Sequence, residues 1–210
     1  MTGVARRGRP RLTDEQRATQ RAEVLANAMD SIRDRGAEVS LDDIAVDSGI
    51  SKPVIYGHFG DRLGLADAIA VVIADGVTET TVREVERRAE VGGEVDFESA
   101  VGAIVTSLVD VVEREPAIYG FLVRTIRSGE RGFFDNALVD VIRERGGRLV
   151  EFANPGIAHD VREVLVDGAF GFLLFSIESW KATGIPDRDE LVKTLTAAVV
   201  AGFASAAPGP

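Results

Sequence analysis

The hydrophobic residues of this chain recur at helical spacing almost from end to end, and no stretch of useful length alternates as a strand would. That pattern restricts the chain to an all-α fold. Ala22, Leu25, Ala26, Met29 and Ile32 mark one face of a first helix, which Arg35 and Gly36 end with a cation and then a glycine. Ser40 and Asp43 open a short second helix as a capping box, with Leu41, Ile44 and Ala45 on its buried side and Gly49 at its end. Ser51 caps a third helix that carries Pro53 in its first turn, where no backbone N–H is needed. Asp61 caps a fourth, predicted to run to about Glu90, with Leu63, Ala66, Ile69, Ala70, Ile73 and Val77 on one face. The stripe from Val101 to Val112 stops before Pro116. Further helices are predicted over 117–127, 132–153 (weakened by Gly146 and Gly147), 158–182 and 187–206.

Composition excludes several chemistries. The 210 residues are 45% hydrophobic and 28% charged, as in a soluble globular protein. Without cysteine there is no disulfide scaffold, thiolate metal site or cysteine nucleophile. Two histidines, His58 and His159, give little from which to build a metal site. No glycine-rich phosphate loop follows a strand, and no nucleophile stands beside a histidine motif, so an enzyme is not expected and no cofactor is implied. The N-terminus shows no export signal, and the longest uncharged run, 194–210, falls short of the ~20 apolar residues of a membrane span. A cytoplasmic protein without a membrane partner is expected.

The net charge of −10 argues against nucleic acid until its distribution is considered. Residues 1–70 carry 10 basic and 11 acidic side chains, so most of the acid lies beyond them. Residues 1–11 hold Arg6, Arg7, Arg9 and Arg11 and no acid. Such an arm can supply phosphate contacts whatever the total charge; the alternative is a solvated tail.

The stretch from Ser40 to Ala70 carries the function. Two short helices joined by the Ser48-Gly49-Ile50 turn make the pattern of a helix-turn-helix, whose second helix enters the DNA major groove. Ile44, Ala45, Ile50, Ile55 and Phe59 can lock the pair from inside. Ser51, Lys52, Val54, Tyr56 and His58 are then left facing outward, supplying donors, a cation and an apolar contact for a thymine methyl. Each has a plainer reading as well: Tyr56 as a packing tyrosine, His58 as merely exposed, Arg62 as an ordinary surface charge.

This segment resembles the DNA-binding domain of TetR-family transcriptional regulators. The resemblance rests on Leu41-x-x-Ile44-Ala45, the run Ser48 to Lys52, Ile55-Tyr56, His58-Phe59 and the basic Arg62, and covers about residues 15–70. It implies that Ser40 contacts phosphate, that Ser51, Lys52, Pro53 and Tyr56 lie on or near the DNA, and that His58 and Arg62 touch backbone phosphates. It also implies that Phe59 packs the recognition helix onto its neighbours. Gly57 departs from the aromatic or polar residue the family often has there.

The second half is less legible. From Val164 to Ile177 the one charge is Asp167, so the helix over 158–182 is expected to be buried on several sides. With the last helix, which offers Leu191, Leu195, Ala198, Val199 and Gly202, it could form a four-helix interface with a second copy; the alternative is a monomer core. Aromatic residues concentrate between 119 and 180. Tyr119, Phe121, Phe134, Phe172 and Trp180 are candidates to line a pocket for an apolar or amphipathic small molecule, or are plain core.

The expectation is therefore an all-α protein with a basic arm (1–12), a three-helix helix-turn-helix domain (13–60), a helical ligand-binding and dimerisation bundle (61–206) and a tail (207–210). Its expected function is ligand-responsive regulation, as a repressor bound as a homodimer to a palindromic double-stranded operator and released by a small molecule. The competing reading is an architectural DNA-binding protein without a small-molecule ligand.

Overall fold

The computed structural model describes residues 13–93, 96–127 and 137–206. Among these the chain is helix and short connection, without strand. In order the helices are α1 (Asp14–Arg35), α2 (Leu41–Ser48), α3 (Lys52–Phe59), α4 (Arg62–Glu90), α5 (Phe97–Arg114), α6 (Pro116–Arg127), α7 (Ala137–Ala153), α8 (His159–Thr183) and α9 (Arg188–Ala206). Arg6, Arg7, Arg9, Arg11 and Phe134 lie outside the described residues, as does the start of the helix predicted from 132.

Local chemistry sets the ends. Thr13 and Gln16 form a capping box at the start of α1, and Ser40 and Asp43 form another at α2. Asp61 accepts from the Gly64 amide at 2.8 Å and so caps α4; Asp96 does the same for Ser99 at α5. Gly49 takes the left-handed conformation, φ +64°, that reverses the chain between α2 and α3.

Packing then divides these helices between two apolar cores. The first is built from α1 to α4, with Val24, Ile32, Ile44, Ile55, Leu65 and Ile69 almost wholly enclosed. The periodicity named Ala22 and Ala26 on the buried face of α1. Both are exposed instead, and the larger Val24, with Ala28, turns inward beside Leu25, Met29 and Ile32. Ile118, Phe121 and Leu122 of α6 complete this first core from outside the helix-turn-helix. The second core joins α5 to α9 through Val105, Val109, Val150, Leu173, Leu195 and Phe203.

Helix α4 leaves the first core and runs on against α5 and α7. Its 29 residues span ~43 Å at the α-helical rise. Near its middle, Arg145 of α7 donates to Thr78 at 2.7 Å and pairs with Asp75. The adjacent Gly146 and Gly147 do not break α7. Gly146 instead admits Val166 of α8, whose methyl lies 3.0 Å from where a Cβ would stand.

Helix α8 departs from its expected burial. Val166, Leu173 and Ile177 are buried, but Val164 and Phe175 are about 70% exposed, and Val161 and Phe172 also face out. Among the described residues no helix is long and apolar enough to cross a membrane.

Candidate nucleic-acid interface

Helix α3 is held from one side and free on the other. Ile55 is fully enclosed and Phe59 nearly so, and the Arg21 guanidinium lies over the Phe59 ring at 5.1 Å. This anchors the inner face and fixes the angle of α3 against α1 and α4. Ser51, Lys52, Pro53, Tyr56 and Gly57 make the outer face, and all five are exposed. Ser51 stands at the N-terminus of α3 without a side-chain cap bond, so its hydroxyl is available to an acceptor. Tyr56 projects from the middle of that face. Gly57, beside it, leaves open space where a side chain would stand.

The remaining expected contacts are placed differently from one another. Ser40 is committed to the α2 cap: its Oγ accepts from the Asp43 amide at 3.1 Å and donates to the carboxylate at 2.5 Å. His58 is half-buried, with Nε2 3.3 Å from Gln20 Oε1 of α1. Val54 was expected on the outer face; it is partly buried against the first core, because α3 is rotated so that Val54 and Ile55 share the inward side.

Arg62 is the clearest correction. It was expected at a phosphate, yet its guanidinium donates to the carbonyls of Val39 and Ala37 and to Thr125 Oγ1. It also stacks 4.1 Å above the Phe121 ring. Burial, and then the nearby Arg124, push its pKa below the ordinary arginine value, but an arginine there stays charged. The unanswered carbonyls that follow Gly36 draw the cation inward, and the Phe121 face completes the site. Phe121 is thereby a floor beneath Arg62 in the first core, and does not join the other candidate aromatics.

Those aromatics are dispersed. Tyr119 belongs to the second core with Lys181 Nζ 4.9 Å from its ring, while Trp180 packs at the edge of that core and donates to the Pro186 carbonyl. Phe172 faces out. An open cleft of about 420 Å³ lies where α4, α5 and α9 meet, but its lining is polar and includes Arg88, Ser99, Lys193 and Thr196.

The charges around α2 and α3 are arranged in a way the sequence pattern did not reveal. Asp47 binds Arg35 and accepts from Ser31 Oγ at 2.5 Å, and Arg35 also reaches Asp43 at 3.3 Å. Arg35 and then Ser31 hold the Asp47 carboxyl below the usual carboxylate range. Ser40, through hydroxyl and backbone, does the same for Asp43, with Arg35 adding to it. Lys52 pairs instead with Asp42, at 2.6 Å. Helical spacing cannot show such pairs, because their partners lie on different helices.

A model of the TetR family of bacterial regulatory proteins matches residues 24–69, the span from α1 to α4 whose core has just been described. Two uncharacterised HTH-type transcriptional regulators of Mycobacterium tuberculosis are each 28% identical over 116 residues, covering 55% of this chain and 47% of their own. The chain carries a TetR-family DNA-binding segment. It spans about half the length of the curated relatives it matches. Crystal structures of similar fold cover nearly all of this chain. One is a TetR-family regulator from Streptomyces coelicolor (22% identity, TM-score 0.61, 93% of this chain and 83% of that one). Another is a TetR regulator from Rhodococcus sp. RHA1 (14%, 0.64, 93% and 100%). A third is the TetR-family repressor AlkX from Dietzia (19%, 0.60, 89% and 96%). At these identities they speak for the all-helical fold of both halves.

Proposed function

We propose that this regulator is a repressor that binds a palindromic operator as a homodimer and is released by an apolar or amphipathic small molecule. The observation that carries the DNA part is the two-sidedness of α3: Ile55 and Phe59 fixed within, Ser51, Lys52, Pro53 and Tyr56 exposed without. Ser40 and His58 flank that face, and the arginines of the N-terminal sequence, Arg6, Arg7, Arg9 and Arg11, add phosphate contacts. The DNA-reading part is residues 13–60, and 61–206 dimerises and senses.

Dimerisation is supported by the exposed stripe on α8. Val161, Val164, Gly168, Phe172 and Phe175 recur every three or four residues, and exposed apolar area of that kind marks an interaction face. Footprinting of DNA around its own gene tests the assignment. Two protected half-sites related by a dyad, with centres about one helical turn or a multiple apart, are expected. A single asymmetric half-site excludes the symmetric dimer.

Release by a ligand is supported by the path of α4, which leaves the first core and packs against α5 and α7, so that a shift in those helices bears on the DNA-reading part. A ligand can act only through its preference for the state that does not bind DNA, and operator must then weaken ligand binding by the same factor, about 5–150-fold. Calorimetry of a candidate ligand with and without operator reads this directly, and equal affinities rule that ligand out as inducer. The architectural reading retains support from the dispersal of Tyr119, Phe121, Phe172 and Trp180 over two cores and the surface.

A further inference from the structure

One ion pair on the outer face is not explained by folding. Lys52 Nζ and Asp42 Oδ2, 2.6 Å apart, join the first turn of α3 to the first turn of α2. Both side chains are more than half exposed, and an ion pair in that setting contributes little to stability. Asp43 and Asp47 of the same helix are answered from α1, by Arg35. Residues 40–61 contain four aspartates, one lysine and no arginine. Lys52 is thus the one fixed cation of that segment, and a carboxylate meets it before any DNA does.

We infer that Asp42 is a specificity-determining residue: it restrains Lys52, and so penalises DNA that the rest of the α3 face does not match. The inference rests on the reading that α3 faces the DNA. To bind a phosphate, Lys52 must leave Asp42 or share it, and the carboxylate then stands close to a like charge. That cost stands in full on DNA held by Lys52 and phosphate alone. On a matched operator the contacts of Ser51 and Tyr56 hold α3 where Lys52 reaches a phosphate without leaving Asp42, and most of the cost is avoided. The salt dependence follows the same arithmetic. A free lysine that meets a phosphate releases close to one condensed cation, whereas a lysine drawn from a carboxylate leaves that carboxylate to take one up.

The test compares the parent with Asp42→Asn, Lys52→Ala and the double variant. Fluorescence anisotropy is measured on a random-sequence duplex and on an operator selected from a random pool, at several salt concentrations. Circular-dichroism melts separate binding effects from unfolding. Asp42→Asn is expected to bind the random duplex about fivefold tighter at ~0.15 M salt and the operator about twofold tighter or less. Its salt slope on the random duplex steepens by up to about one unit, and the steepening disappears in the double variant. Equal gains on both duplexes overturn the inference. So does a loss of operator affinity alone, which would make Asp42 a base contact accepting from a cytosine amino group. If Lys52→Ala leaves binding to both duplexes unchanged, the DNA-facing assignment of α3 itself fails, a result distinct from either.

Discussion

Arg62 and Tyr56 lie on adjoining turns of the chain, and the structure gives them opposite duties. Arg62 answers two carbonyls and a hydroxyl and covers an aromatic ring, all inside the protein. Arg62→Ala should therefore cost about 2–3 kcal/mol, the worth of hydrogen bonds to a charged group, with DNA affinity falling through the loss of fold. Tyr56→Ala should do the reverse: its exposed ring makes a change of less than ~0.5 kcal/mol expected, with specific binding abolished. Phe59→Ala, enclosed beneath the Arg21 guanidinium, should lose about 3–5 kcal/mol. Urea unfolding and operator binding of the three variants place each on one side of the division. Comparable loss of stability in Tyr56→Ala would refute the outward assignment. A basic residue at the head of α4 reads the same in sequence whether it turns to DNA or to the protein; what decides it is Ala37 and Val39, 25 and 23 residues away.

Among the elements, α2 holds two carboxyls that tie its stability to pH. Asp43 and Asp47 ionise more readily folded than unfolded, the first through Ser40 and the second through Arg35 and Ser31. The stabilisation they give is fully present above the ordinary carboxylate value, about pH 4, and is lost as pH falls through their lower folded values. The urea midpoint should fall as pH drops below about 4, and Asp47→Asn should flatten part of that fall; an unchanged profile in the variant would remove Asp47 from the account. Helix ends such as Ser40 with Asp43, or Gly49, were legible in sequence because a cap is made within three or four residues. The docking of α6 was not, because Ile118 and Phe121 meet partners some fifty to ninety residues earlier. The burial of α8 was misread for a different reason: an apolar side chain reads alike whether its cover comes from its own chain or from elsewhere.

For the whole molecule, two long-range properties follow. If the exposed stripe of α8 is the dimer face, Phe175→Asp should give monomers by analytical ultracentrifugation with little change in melting, since that ring is 69% exposed. A dimer that survives the charge would move the interface elsewhere. Deleting residues 1–11 removes four arginines and should flatten the salt dependence of DNA binding by up to about four units, on every sequence alike. The route from body to DNA runs through α6 as well as α4. Ile118, Phe121 and Leu122 fill the floor of the head, and Arg33 holds Glu115 at 2.9 Å just before them. Anyone splicing this head onto a foreign body at residue 61 would leave behind the plug that fits its socket, and a hybrid that keeps its original specificity must carry 115–122 across with it.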